Sequence, residues 1–153
     1  MRAKQKCNER PRSPRAARLA YAGLRMAVPQ SAEIQTLEEM AVLVTAAVFM
    51  KRPITAVYHN CRRSLCPHVL GRNKDGGLNV LCYQYAGGSI SGLKPRGSSD
   101  NWRCVALSKL RAVRLLDEPW QSAENHMRPQ TCIAEVLFDA EKLDMLVARK
   151  IRD

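Results

Sequence analysis

The chain has 153 residues, 46% of them hydrophobic and only 5% aromatic, and its net charge is +11. This length predicts one domain with a core of aliphatic side chains. The longest apolar run, Met40 to Met50, is shorter than the about 20 residues of a membrane-spanning helix, which excludes such a span. Residues 1–25 contain no apolar segment typical of a secretory signal. We therefore expect a cytoplasmic protein with no membrane contact.

The first part of the chain is strongly basic. Residues 1–30 hold eight lysines and arginines, three prolines and a single acid, Glu9. We predict a disordered basic arm over residues 1–32, with Met26 as an alternative start of translation, and a domain over residues 33–153. Such an arm favours polyanions, because binding to them releases counterions.

The cysteines are scattered along the chain and none forms a C-x-x-C pair. They are Cys7, Cys61, Cys66, Cys82, Cys104 and Cys132. In the absence of a secretory signal, this pattern predicts free thiols rather than a disulfide framework. Cys82 and Cys104 lie in apolar, strand-like runs, where a free cysteine packs like a small apolar residue.

The first predicted element is a helix. Thr36 and Glu39 have the spacing of a capping box, in which each side chain bonds to the other's backbone N–H. The helix should run to about Lys51 and end before Pro53. It is apolar nearly all round, which predicts burial against a sheet or against a partner chain.

The next stretch has the alternation and the turn signals of short strands. We predict five, over residues 54–58, 63–69, 78–85, 102–107 and 110–116. Pro67 indicates an edge or a bulge in the second of them, and Asn73 to Gly77 is the strongest turn signal. Residues 132–138 fit a strand or a helix, and Asp139 could cap a C-terminal helix. The fold predicted is mainly β within the α+β class, a strongly bent five-stranded sheet or barrel with an N-terminal and a C-terminal helix.

The order of features over residues 37–120 is similar to that of the WYL domain. A helix is followed by a strand ending in Tyr58, a basic turn, a glycine hairpin, a Gly-Gly-Ser-x-Ser-Gly loop and a Trp-Arg strand. The corresponding positions are Arg62-Arg63, Pro67-His68, Gly76-Gly77, Gly87 to Gly92, Trp102-Arg103 and Leu107 to Leu110. The triad that names the family falls at Leu78-Asn79-Val80, where only the last residue is similar. No fused helix-turn-helix domain is present in the sequence.

The resemblance implies an Sm-like or SH3-like five-stranded barrel in a short stand-alone regulatory protein of bacterial type. It also implies binding of a nucleotide or of single-stranded nucleic acid, as part of ligand sensing or transcription regulation. The binding residues carried over by position are Tyr58, Arg62, Arg63, His68 and Arg103, with Lys109 near the rim. Arginine forks suit phosphate, and Trp102 beside Arg103 could stack a base or shape the site.

Two other hypotheses concern the same stretch and the first helix. His59, Cys61, Cys66 and His68 could hold zinc, although their spacing matches no known zinc motif, and we predict no metal and no cofactor. No nucleophile motif is present, so we predict that the protein is not an enzyme. The alternative function is a structural or protein-interaction module that forms a homodimer through Leu37 to Met50 without a ligand.

Overall fold

The computed structural model describes Cys7, residues 34–124 and residues 132–143. Helix α1 spans Leu37–Met50 and begins with the expected capping box. The Thr36 hydroxyl accepts the Glu39 N–H at 3.2 Å, and the Glu39 carboxylate accepts the Thr36 N–H at 2.7 Å. Lys51 ends the helix in the left-handed conformation, and its N–H bonds to the carbonyls of Ala47 and Val48. These bonds satisfy backbone groups that a helix end otherwise leaves unpaired.

Six strands form one antiparallel sheet. They are β1 Ile54–Tyr58, β2 Cys61–Arg72, β3 Leu78–Gly87, β4 Trp102–Ala106, β5 Arg111–Leu115 and β6 Glu135–Asp139. Their order is β4-β3-β2-β1-β5, and β6 pairs with β2 outside this path. Within the described residues no pairing joins β4 to β5, so the sheet is not closed. The mainly β, α+β class is confirmed, whereas the count of five strands is wrong, because the ambiguous segment near residue 135 supplies a sixth.

Strand β2 is the centre of the sheet. It has 12 residues, pairs with β1 over residues 61–65 and pairs with β6 over residues 69–72. On its other side it pairs with β3, with register shifts between Ser64 and Leu65 and between Pro67 and Val69. The second shift is the irregularity that Pro67 predicted, since proline cannot donate to a ladder.

Tight turns join the strands. His59 and Asn60 link β1 to β2 and both have positive φ, 49° and 59°, as a two-residue hairpin requires. The Asn73 carboxamide oxygen accepts the N–H groups of Asp75 and Gly77, each at 2.9 Å, and closes the β2–β3 turn. A 3₁₀ helix over Leu107–Lys109 joins β4 to β5, and another spans Ser99–Asn101.

The sheet has two faces, because successive side chains of a strand point to opposite sides. The inner face packs against α1, and its buried apolar residues include Ile54, Leu65, Val80, Val105 and Val113. Met40, Val44 and Ala47 of α1 complete this core. The outer face carries His68, Tyr83 and Trp102, which lie against Trp120 and the segment after β5.

Two disulfides correct the prediction of free thiols for four of the six cysteines, while Cys66 and Cys82 are free and buried. Cys104 is bonded to Cys132, and Cys7 is bonded to Cys61. The Cα atoms of the two pairs are 6.5 and 5.4 Å apart, within the usual range for disulfides. Sequence spacing cannot reveal such pairs, because the fold brings their partners together from 28 and 54 residues apart.

A helical turn over residues 140–143 follows β6, and the Asp139 carboxylate accepts the Glu141 N–H at 3.0 Å. The rest of the predicted C-terminal helix lies outside the described residues. So does the predicted arm over residues 1–32, apart from Cys7. Across the part of the chain that the structure describes, no helix has the length and apolar character needed to cross a membrane.

Candidate ligand-binding site

One end of the inner face is polar instead of apolar. We call this group the polar end, and it consists of Tyr58, Arg63, Gln84 and Arg103. Their side chains point to the same face of the sheet as the core residues of their strands. Arg63 pairs with Ala56 on β1, Gln84 pairs with Leu65 on β2, and Arg103 pairs with Cys82 on β3. The register therefore brings together residues that are up to 45 positions apart in the chain.

Arg63 is only 5% exposed. Its guanidinium lies 5.1 Å from the centre of the Tyr58 ring, and its Nη1 is 3.5 Å from Gln84 Oε1. Its Nε is buried and has no hydrogen-bond partner in the described part of the chain. Burial lowers the pKa of Arg63, and the positive charge of Arg103 lowers it further. A buried charge of this kind is costly unless something pairs with it.

Gln84 is fully buried and fixes the position of the Arg63 contact. Its Nε2 donates to the carbonyls of Gly88 at 3.0 Å and Ala86 at 3.3 Å. These two bonds leave Oε1 turned toward Arg63. Gly87 lies between them with φ 89°, and a Cβ there would collide with the Arg62 carbonyl, so only glycine fits.

Arg103 is held by backbone carbonyls. Its Nη2 donates to Gly92 at 3.2 Å, and its Nη1 donates to Trp102 at 3.1 Å and to Asp100. Its Nε is buried without a partner among the described residues, as in Arg63. Burial lowers the pKa of Arg103, and the Asp100 charge partly offsets this effect.

The loop after β3 adds hydroxyl groups near the same end of the sheet. Ser89 is 2% exposed, and its Oγ lies 3.2 Å from Ser91 Oγ. Gly92 in this loop receives the Arg103 hydrogen bond. Guanidinium and hydroxyl donors in a partly desolvated setting suit an oxyanion, especially phosphate.

Of the predicted binding residues, the structure brings Tyr58, Arg63 and Arg103 together. Arg62 is exposed and, as the neighbour of Arg63 in β2, lies on the outer face. Lys109 is exposed in the 3₁₀ helix between β4 and β5. The structure does not place these two cations at the polar end.

His68 and Trp102 belong to a different group on the outer face, which we call the aromatic cluster, with Tyr83 and Trp120. The His68 ring centre is 4.7 Å from that of Trp102 and 4.6 Å from that of Trp120. Its Nδ1 is 2.8 Å from the Cys66 carbonyl oxygen, and its Nε2 is 3.1 Å from Ser122 Oγ. Trp102 Nε1 donates to the Glu124 carbonyl at 2.9 Å. These contacts give both predicted ligand-binding residues a packing role.

The four residues of the zinc hypothesis do not form a common site. Cys61 is in a disulfide, His59 stacks on Tyr58 with ring centres 4.2 Å apart, and His68 packs in the aromatic cluster. Cys66 is buried, and burial raises the pKa of its thiol to about 11. Among the residues described, no three histidine, cysteine or acidic side chains are grouped to hold a metal.

Sequence reasoning missed Gln84 and Ser89. Gln84 carried a signal, since it is a polar residue in the mostly apolar strand predicted over residues 78–85. Ser89 carried none, because a serine in a glycine-rich stretch is ordinary in a surface loop.

Comparison with known proteins gives no relative. No family model, no curated protein and no solved structure matches the chain. The residues at the polar end are therefore the basis for any assignment of function.

Proposed function

We propose that the polar end binds a phosphate-bearing ligand, either a nucleotide or single-stranded nucleic acid, and that the protein is a non-enzymatic sensing module. The observation that carries the proposal is Arg63, a buried cation with an unpartnered Nε beside a second arginine. A phosphate group would offset the repulsion between Arg63 and Arg103 and accept hydrogen bonds from both.

Tyr58 positions the site in this proposal, and His59 supplies the stacking surface. Arg63 lies over the Tyr58 ring, and the His59 ring stacks on Tyr58 at an interplanar angle of 23°. Because His59 is exposed, a base can stack on its ring while the phosphate meets the arginines. This replaces Trp102 as the predicted stacking residue.

The proposal includes the expected family and setting. The strand order β4-β3-β2-β1-β5 and the 3₁₀ helix between β4 and β5 support an opened relative of an Sm-like or SH3-like barrel. A WYL-like regulatory role agrees with arginines on the inner face. The cytoplasmic location stays a prediction, and the two disulfides weigh against it, because disulfides persist mainly in oxidising compartments.

The test is titration of the whole protein with labelled single-stranded DNA and RNA and with nucleoside di- and triphosphates, by fluorescence anisotropy and calorimetry at two salt concentrations. Arg103→Ala should weaken binding about 10- to 100-fold, as expected for loss of a charge-assisted contact worth about 1.5–3 kcal/mol. Lys74→Ala removes an exposed charge in the β2–β3 turn, away from the polar end, and should change affinity less than 3-fold. Equal loss in the two variants would contradict the site and assign binding to net charge alone.

A second candidate function is self-association through α1, and exposed apolar side chains favour it. Val42 is 68% exposed, Phe49 50% and Met50 52%. Val42 and Phe49 are seven residues apart and so lie on the same side of the helix. A stripe of this kind can pair with its own copy across a two-fold axis.

Sedimentation measurements at several concentrations test this candidate. A dimer that Val42→Asp converts to a monomer would support it. A wild-type protein that stays monomeric at the highest concentration would reject it, whatever the polar end binds.

A further inference from the structure

A small cavity on the outer face lies between two exposed arginines. Its volume is about 270 Å³. It is lined by Thr55, Ala56, Val57, Arg62, Ala112, Arg114, Leu115 and Leu116. No acid occurs among these residues, which are the lining that the structure describes. Arg62 thus belongs to a site that is separate from the polar end.

The ladder explains why both arginines reach this cavity. Val57 of β1 pairs with Arg62 on one side, and Thr55 of β1 pairs with Arg114 on the other side. The two cations therefore flank β1 from neighbouring strands on the same face of the sheet. Thr55 contributes a hydroxyl between them, and Val57 lies on the same face. The side chains of Ala56 and Leu115 instead pack toward the inner core.

An irregularity in β5 accompanies the cavity. The register between β1 and β5 shifts between Thr55 and Val57, opposite Arg114 and Arg111. Ala112 lies in this shift and has φ 51°, a left-handed conformation that an alanine rarely adopts. Bulges in edge strands change the direction of neighbouring side chains and are common beside binding sites. Here the extra residue separates Arg111, which donates to Asn60 Oδ1 at 3.1 Å, from Arg114 at the cavity.

We propose that this cavity binds a phosphate group between Arg62 and Arg114. Two guanidinium groups and a hydroxyl supply donors for its oxygens. A volume of about 270 Å³ is below the usual about 300–1,000 Å³ of sites for drug-sized ligands, so the cavity suits the phosphate group itself. Because Arg62 and Arg63 point to opposite faces, this site does not depend on the ligand of the polar end.

The first experiment titrates the whole protein with inorganic phosphate and follows backbone amide shifts by NMR. The amides of Thr55 and Ala112 should shift saturably. In the double variant Arg62→Ala/Arg114→Ala the apparent affinity should fall at least 10-fold. A matched variant, Lys74→Ala/Arg96→Ala, removes two exposed charges elsewhere and should bind like the wild type. Absence of shifts at Thr55 and Ala112, or an equal loss in the matched variant, would overturn the proposal.

A second variant tests the proposal even if Arg62→Ala/Arg114→Ala fails to fold. Arg62→Lys/Arg114→Lys keeps both charges but removes the planar donor forks, so phosphate should bind several-fold more weakly in an unchanged fold. Undiminished binding by this variant would contradict recognition by the guanidinium forks.

A final comparison identifies the source of the phosphate. The affinities of a 5′-phosphorylated oligonucleotide and of its unphosphorylated form are compared. If the phosphorylated form binds more tightly, and Arg62→Ala/Arg114→Ala removes the difference, the ligand is a terminal phosphate. Equal binding of the two oligonucleotides, together with saturable inorganic phosphate binding, identifies the free anion.

Discussion

The polar end and the aromatic cluster lie on opposite faces of the same strands, and they differ in how their polar groups are satisfied. In the aromatic cluster both His68 nitrogens and Trp102 Nε1 have partners. The Tyr83 hydroxyl donates to the Ser98 carbonyl and accepts the Gly97 N–H. At the polar end, Arg63 and Arg103 each bury an Nε that none of the described residues meets. Satisfied polar groups stabilise a fold, whereas each unsatisfied buried group is a cost to stability, and these two Nε atoms are the donors that the proposed phosphate would meet.

The largest effect that separates the two regions is on stability. Trp102→Ala removes a ring that contacts His68 and Tyr83, and we expect it to lower the free energy of unfolding by about 3 kcal/mol. Arg103→Ala, at the next position, should lower it by only about 1 kcal/mol, because the desolvation of its charge offsets much of what its three bonds to backbone carbonyls contribute. Urea unfolding of both variants measures this difference. Similar losses in the two variants would mean that Arg103 is as structural as Trp102.

Arg63→Met should act in opposite directions on stability and on binding. Replacing a buried charge by an apolar side chain of similar length should raise the free energy of unfolding by about 1 kcal/mol. The same change should abolish the salt-dependent part of nucleotide binding that the polar end provides. Urea unfolding and calorimetric titration of one preparation test both effects. A less stable variant that still binds would reverse the assignment of this residue.

An effect confined to alkaline pH concerns Cys66, which pairs with Tyr83 of the aromatic cluster. Burial raises the pKa of Cys66 to about 11 from an ordinary value of 9.0. Between pH 9 and 11 the Cys66 thiol stays protonated in the folded protein but ionises in the unfolded chain. The free energy of unfolding that this group contributes below pH 9 should therefore be lost as the pH rises toward 11. Thermal unfolding between pH 8 and 11 should show this decline, and Cys66→Ala should reduce its slope. An unchanged slope in the variant would assign the decline to other groups.

The smallest effect concerns the backbone beside Arg114. Ala112→Gly relieves the left-handed alanine, and we expect a gain of about 0.5–1 kcal/mol after the entropic cost of glycine is included. Ala106→Gly, at an ordinary extended position, provides the control and should be destabilising. A loss of stability in Ala112→Gly would show that the methyl group packs favourably in the cavity wall.

Local signals in the sequence predicted much of the fold. The helix start and the β2–β3 hairpin depend on hydrogen bonds between residues close in sequence, so the sequence alone predicts them. These residues are Thr36 with Glu39 and Asn73 with Gly77. The sixth strand could not, because β6 depends on pairing with β2 more than 60 residues earlier.

The site was predicted only in part, for the same reason. Arg62 and Arg63 are adjacent in sequence. Adjacent side chains of one strand point to opposite faces of the sheet, so the two arginines are assigned to different faces only if β2 is known to include both. The strand was predicted to begin at residue 63, although it begins at Cys61. His68 lies at a bulge that shifts the register, so its surroundings depend on the tertiary fold.

The triple pairing of β2 has a consequence for synthesis of the chain. Strands β1 and β3 flank β2 closely in sequence and can pair with it soon after they leave the ribosome. On the edge that faces away from β3, the partner of Val69 to Arg72 among the described residues is β6, which is made about 65 residues later. Until then this apolar edge is open to pairing with other nascent chains. Late arrival of β6 therefore makes slow translation between residues 72 and 139 a condition that favours aggregation.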